Sequence, residues 1–444
     1  MKLIFTDHYD IEDPFGKLQF GCNTLTYVDK AKGLPPIRVR CIVQQPDESY
    51  MVYGATGRMN APVNIYRART VDGVHFEQSA RGLATGPGTW RTEFDIAYDE
   101  DNRRLMAYLW QEYKDSFSLW AYGSDDGGKN WNQLSDKPLY INHDAFSVLW
   151  DPRTKQFICY NNTYQPWDRI VPDNIGDRIR RVLSIRTSTD GLDWKPNDDV
   201  YQSGPYTPPE ELITPDEHDA PDIEFYRFNV FPYADRYVGM MLNYAASPQE
   251  ANPRHPWTKH GQHCYSEWWV SRDGLDWDRP FRDVFASGEA PSIIEHPPML
   301  VDGRYLWIID ECVFTLPEDR LFYVGARSNG AFSTKPFEMP AEPLMLDAAM
   351  QFTPHGPGMF EQSYIMAELV DTDHNVIPGF ERAKCVHYHL PANRIRLHWG
   401  DEDGYRLAGR PVRLRLYFRD ARIYAVTTAR YPGIERNEVF RQGI

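Results

Sequence analysis

The chain has 444 residues, 42% of them hydrophobic, enough for a large core in two or three domains. It carries 63 acidic residues against 48 Lys and Arg, a net charge of −15, and no basic run. That excludes duplex nucleic acid as a partner, because displacing counterions from phosphates needs a concentrated basic surface. No stretch of about 18 apolar residues occurs, so no membrane span and no membrane partner are expected.

The N-terminal run Met1–Asp13 reaches acidic residues too early for a signal peptide, and the chain as given reads as cytoplasmic. Aromatics are abundant, at 14%. Strand and core packing accounts for most of them, and flat aromatic faces also suit the stacking of sugar rings. The six cysteines, Cys22, Cys41, Cys159, Cys264, Cys312 and Cys385, contain no CxxC pair. Cys41, Cys159 and Cys264 sit in strand-like runs, where a thiol behaves as a small hydrophobe.

Five units follow one another along the chain. The first holds the β-type runs Arg40–Val43, Tyr50–Tyr53 and Val63–Tyr66 and ends in the turn Thr70-Val-Asp-Gly-Val-His-Phe76. The second holds Phe94–Tyr98, Arg104–Trp110 and Ser118–Tyr122, then Ser124-Asp-Asp-Gly-Gly-Lys-Asn-Trp131. The third holds Phe146–Trp150, Gln156–Tyr160 and Arg181–Ile185, then Ser188-Thr-Asp-Gly-Leu-Asp-Trp194. The fourth holds Phe228–Phe231, Arg236–Leu242 and Tyr265–Val270, then Ser271-Arg-Asp-Gly-Leu-Asp-Trp277. The fifth holds Met299–Val301, Tyr305–Ile309 and Leu321–Gly325, then a degenerate Arg327-Ser-Asn-Gly-Ala-Phe332. Asp-Gly and Asn-Gly are strong hairpin signals, and the Ser/Thr and Asp side chains can bond local amides. Three strands, a repeated turn and a short fourth strand make one propeller blade, which predicts an all-β chain with a five-bladed β-propeller over residues 1–340. After Pro340 and Pro343 the pattern changes. Val412, Leu414, Leu416 and Phe418 alternate with Arg413 and Arg415, a strand with one buried face, and residues 341–444 read as a C-terminal antiparallel β-sandwich.

Ser-x-Asp-Gly-x-x-Trp turns in a five-bladed array followed by a β-sandwich resemble the glycoside hydrolases of the invertase, levansucrase and arabinanase type. They are most similar to a bacterial set that opens with a run like Ile4-Phe-Thr-Asp-His8 and closes with a strand like Gly409-Arg-Pro-Val-Arg-Leu-Arg-Leu416. The resemblance spans nearly the whole chain through structural motifs. The Asn-Asp-Pro-Asn-Gly, Arg-Asp-Pro and Glu-Cys motifs of invertase-type enzymes are absent. The resemblance implies carbohydrate chemistry at the central axis, on the face opposite the Asp-Gly turns; catalytic residues do not carry over.

Glycoside hydrolysis needs a carboxylic acid and a carboxylate. Aligning the inner strands on the turns brings forward Glu93, Asp95, Asp144, Glu224 and Glu295 as catalytic candidates. Arg38, Arg58, Arg91, His143, His218, Tyr226, Tyr244, His296 and Glu311 are the substrate-binding candidates. An Arg there would bind a sugar carboxylate or pair with the axial acids. No HExxH occurs, the spacings of His255, His260 and His263 are irregular, and neither metal nor cofactor is expected. The expected partner is an oligosaccharide or polysaccharide cut from a chain end; homo-oligomerisation stays open. A lyase using His or Tyr with Arg on a uronate, and a non-catalytic sugar-binding propeller, are the alternatives.

Overall fold

The computed structural model describes residues 1–56, 64–84, 93–113, 116–141, 145–168, 178–195, 212–247, 261–282, 294–350, 363–388 and 393–428. Among these the chain is all-β, with three short 3₁₀ turns and no α-helix. No helix is long and apolar enough to cross a membrane. Among the described residues two compact units separate: residues 25–315, and residues 1–24 with residues 316–428.

Among its described residues, the unit of residues 25–315 holds five antiparallel sheets. Sheet I is Arg38–Gln44, Tyr50–Thr56, Asn64–Thr70 and Glu77–Ala84. Sheet II is Phe94–Asp99, Arg104–Tyr113, Ser116–Ser124 and Asn132–Gln133, with Tyr140–Ile141 also on its third strand. Sheet III is Phe146–Asp151, Gln156–Pro166, Ile179–Ser188 and Leu212–Ile213. Sheet IV is Ile223–Tyr233, Arg236–Ser247 and Gly261–Ser271. Sheet V is Met299–Val301, Arg304–Ile309 and Cys312–Pro317, joined on its outer side by Thr26–Lys30.

The apolar core is divided among the seams between these sheets. Tyr53 and Ile65 of sheet I pack with Ile96 and Ala107 of sheet II. Tyr108 and Trp110 of sheet II pack with Phe146 and Phe157 of sheet III. Tyr160 and Leu183 of sheet III meet Phe228 and Trp269 of sheet IV. Val52 of sheet I packs with Leu306 and Val313 of sheet V. Across sheets IV and V the rings of Tyr233 and Tyr305 lie 5.9 Å apart.

Four of the expected turns form as read. In each, Asp Oδ1 accepts two amides: Val74 and His75 on Asp72, Lys129 and Asn130 on Asp126, Leu192 and Asp193 on Asp190, Leu275 and Asp276 on Asp273. The leading hydroxyl accepts a Gly amide, as from Gly191 to Ser188 at 2.9 Å. Gly191 sits at φ +73, where a side chain is strained, and a Cβ there would lie 2.5 Å from Tyr108 Oη of the preceding sheet. Trp194 Nε1 closes the turn on the Gly191 carbonyl at 3.1 Å.

The fifth copy is not a turn. Ser328 and Asn329 are exposed within one strand, Phe322–Thr334, at a register shift between Ala326 and Asn329. That strand belongs to the other unit, so Leu321–Gly325 is not the third strand of sheet V. Cys312–Pro317 takes that place, reached through Asp310 and Glu311 at φ 48 and 65. A two-residue hairpin without Gly left no signal to read.

In the other unit, the 18-residue strand Pro411–Thr428 pairs with Lys2–Ile4, Phe322–Thr334, Phe337–Glu338, Leu344–Met350 and Tyr364–Val370. Val412, Leu414, Leu416 and Phe418 are fully buried, as their alternation predicts. Arg413 and Arg415 are ion-paired with Glu12 and Glu368, so they are not simply a solvated face. The strands Lys2–Ile4, Ile11–Gly16, Gln19–Cys22 and Phe322–Thr334 share this sheet, although all four precede the change of sequence pattern at Pro340. Cys22, Cys41, Cys159, Cys312 and Cys385 are free thiols.

Candidate functional site

A charged cluster gathers on the first strands of the sheets in residues 25–315. Arg38 and Arg40 come from the first strand of sheet I, where a register shift between Val39 and Cys41 leaves Arg40 as the extra residue of a bulge. Glu93 precedes and Asp95 lies within the first strand of sheet II. Sheet III contributes the Val148 amide, sheet IV contributes Arg227, and Glu295 lies just ahead of sheet V.

Every guanidinium of this cluster approaches both glutamates. Arg227 Nη1 lies 2.6 Å from Glu93 Oε2 and 3.5 Å from Glu295 Oε1. Arg38 Nη2 donates to Glu295 Oε1 at 2.6 Å, and its Nη1 stands 3.6 Å from Glu93 Oε1. Arg40 Nη1 is 2.8 Å from Glu295 Oε1, and its Nη2 is 4.0 Å from Glu93 Oε2. One shared nitrogen therefore puts the nearest oxygens of Glu93 and Glu295 no more than about 6 Å apart.

Burial would raise both carboxyl groups, but the three guanidinium groups win and hold both down, Glu295 to about 2. Both are carboxylates at neutral pH, so neither is the protonated member a hydrolase needs. Asp95 shows the opposite balance: burial pushes it up to about 6 against the pull of Arg40 and Arg227. Its oxygens accept from the amides of Ile96 at 2.9 Å and Val148 at 2.7 Å. Asp95 is 3% exposed, with both oxygens turned to backbone amides. Arg40 is equally buried, and its Nε and Nη2 have no hydrogen-bond acceptor among the described residues. The accessible groups are Arg38, whose side chain is 40% exposed, Glu93 at 17% and Glu295 at 11%.

The other predicted residues are placed differently. Glu224 is fully buried, accepting from the Arg181 amide at 3.1 Å and pairing with Arg181 Nη1 at 2.8 Å. Tyr226 and Tyr244 lie beside it with ring centroids 6.4 Å apart and the Arg181 guanidinium over both. His296 is buried, its Nδ1 at 2.8 Å from the Pro297 carbonyl and its Nε2 at 3.0 Å from the Ile308 carbonyl, so its ring is engaged by backbone. His218 is exposed in the turn Asp216–Asp219, whose acids pair with Arg279 and Arg282. Glu311 is an exposed hairpin-turn residue. Arg58, Arg91, His143 and Asp144 lie outside the described residues. Among the described residues no group of three His, Cys, Asp or Glu is placed to hold a metal.

Sequence reasoning missed Arg227. Strand alternation puts Glu224 and Tyr226 on one face and Arg227 on the other. The register shift between Phe225 and Arg227 breaks that parity, and a bulge leaves no mark in the residue pattern.

No family model and no curated protein matches this sequence. Solved structures do resemble it. A β-fructofuranosidase from Schwanniomyces occidentalis, complexed with fructosyl-erythritol, is 10% identical over 91% of this chain and 96% of its own, with a TM-score of 0.39. A putative glycoside hydrolase from Bacteroides ovatus is 13% identical over 69% of this chain and 98% of its own, at 0.40. An exo-inulinase from Aspergillus awamori is 11% identical over 92% and 98%, at 0.38. Likenesses this distant carry no weight in assigning the chemistry, which rests on the cluster itself.

Proposed function

We propose that residues 25–315 form a five-bladed β-propeller, that the remaining unit is a β-sandwich, and that the chain is a glycoside hydrolase cutting an oligosaccharide or polysaccharide from its end. The observation that carries this reading is the convergence of all five sheets on one charged cluster. Blades around a central axis bring their first strands together in this way. The sequence resemblance points to the same architecture and chemistry.

Within that reading Glu93 is the reacting carboxylate. Among the described residues, Arg227 is the one guanidinium within hydrogen-bond distance of it, and its Oε1 has only the 3.6 Å contact to Arg38. Glu295 is tied more tightly, by Arg38 and Arg40 together. It serves better as a fixed negative charge that accepts sugar hydroxyls and favours a cationic transition state. The acid falls to Asp144, two residues ahead of the first strand of sheet III.

The test is release of reducing sugar from a panel of oligosaccharides, without the ultraviolet absorbance of an unsaturated uronate. Glu93→Gln, Glu295→Gln and Asp144→Asn keep side-chain shape while removing ionisation. At least one should lower turnover by about a hundredfold or more with the fold intact. Near-normal rates in all three would sink the carboxylate assignment. An unsaturated product would bring the lyase forward, and binding without cleavage a lectin.

A further inference from the structure

Among the described residues, the cluster holds more cation than its accessible acids answer. Arg40 and Arg227, both buried, already face Glu93 and Glu295 one for one. Asp95, the remaining acid, directs its oxygens to backbone amides. Arg40 Nε and Nη2 and Arg227 Nη2 are buried without acceptors in that set, so the positive side of the cluster lacks hydrogen-bond partners. Arg38 is the exposed cation of the cluster. Its Nε and Nη2 both lie on Glu295, at 3.4 and 2.6 Å, which fixes the guanidinium plane. Its Nη1 is left with Glu93 beyond hydrogen-bond distance, at 3.6 Å. A guanidinium held along one edge and open along the other is preorganised for a planar or tetrahedral oxyanion.

We propose that Arg38 anchors an acidic group, a carboxylate or a sulfate, on the sugar that enters this site. The substrate class is then an acidic oligosaccharide, bearing uronate or sulfate ester groups. Calling it a substrate rests on the hydrolase reading; the binding does not. The buried guanidinium groups act through their field and Arg38 by contact. Glu93 and Glu295 stay close enough to accept the neighbouring hydroxyls of the same ring.

The experiment is an NMR titration of the full chain with galacturonate, glucuronate and galactose 6-sulfate, each against neutral galactose and glucose. The acidic sugars should bind about tenfold or more tightly than their neutral parents at low salt, and the advantage should shrink as salt rises. Arg38→Gln should erase the difference, and Arg38→Lys should keep part of it, because charge remains while the fork is lost. The stronger acidic probe separates a carboxylate from a sulfate ligand. Arg38→Gln leaves Glu295 facing Arg40 and Arg227, and circular dichroism checks its fold; if it fails to fold, the salt dependence and Arg38→Lys decide. Equal binding of acidic and neutral sugars, no binding of any acidic probe, or an unchanged preference in Arg38→Gln overturns the proposal. Acidic sugars that bind while no oligosaccharide is cleaved would fail the hydrolase reading and leave this one standing. Oligosaccharides cleaved by the wild type while acidic sugars bind no better than their neutral parents would do the reverse.

Discussion

At the residue scale, Asp95 and Glu295 contrast most clearly. Both are buried carboxyl groups in the field of the same arginines, yet one is pushed up and the other held down. Glu295 meets guanidinium groups directly, whereas Asp95 meets backbone amides and sees the arginines at a remove. Its folded value of about 6 lies above the 3.8 of a free carboxyl group. The native state therefore binds the Asp95 proton more tightly than the unfolded chain. That contribution to stability is complete below about pH 3.8 and is lost as pH rises through about 6, an effect on the order of 3 kcal/mol. Asp95→Asn has no proton to bind and so lacks this contribution at every pH. The Asn amide would also turn a donor towards one of two backbone donors, at a pH-independent cost of about 1–3 kcal/mol. Urea unfolding at pH 4 and pH 7 should show the deficit of Asp95→Asn relative to wild type shrinking at the higher pH. A deficit that is constant across that range would mean that Asp95 titrates normally. Glu295 runs the other way: its contribution is present above about pH 4.5 and lost as pH falls through about 2.

At the scale of the element, the repeated turn shows what a sequence can and cannot disclose. Ser-x-Asp-Gly-x-x-Trp is legible because each residue answers a local need: an acceptor for the Gly amide, an acceptor for two further amides, and a positive φ. Such needs are met within a few residues of chain. The Asn329 copy has part of the pattern but lies in a strand, because pairing with Pro411–Thr428 overrides the local preference. Bulges at Arg40 and before Arg227 are set by pairing with distant strands, and they decide which arginines reach the cluster. The carboxylates at the entries of the inner strands could thus be named in advance, but not which would share guanidinium groups. The turn chemistry makes a differential prediction. Asp126→Ala, Asp190→Ala and Asp273→Ala should each cost about 1–2 kcal/mol in denaturant unfolding, since each leaves two amides without their acceptor. Asn329→Ala should change stability by less than about 0.5 kcal/mol. Equal losses at Asn329 and Asp190 would restore Asn329 as a turn residue.

At the scale of the whole molecule, the first thirty residues serve both units. Lys2–Ile4 pairs with Ala425–Thr427, Ile11–Gly16 and Gln19–Cys22 pair with Phe322–Thr334, and Thr26–Lys30 then completes sheet V. No local pattern announces this, because an edge strand recruited from the far end of the chain looks like any other short β run. Lys2 adds an ion pair to these strand pairings. Its ammonium is buried, 2.7 Å from Asp319 and 3.5 Å from Glu318, so the start of the chain is clamped to the segment that follows sheet V. Removing one partner of a buried pair strands the other charge, at about 3–5 kcal/mol. Lys2→Met leaves Asp319 with Arg394 at 3.9 Å and Glu318 with the same guanidinium at 3.0 Å, so it should destabilise the unit built on residues 316–428 by less than this, about 1–3 kcal/mol. A fragment of residues 341–444 should do worse, since it lacks Phe322–Thr334 and every N-terminal strand of its sheet. The expected result is a fragment with no cooperative unfolding transition by circular dichroism, while the full chain unfolds cooperatively. A folded 341–444 fragment would show that the strands before residue 341 are accessory to that unit and would return the domain boundary to Pro340.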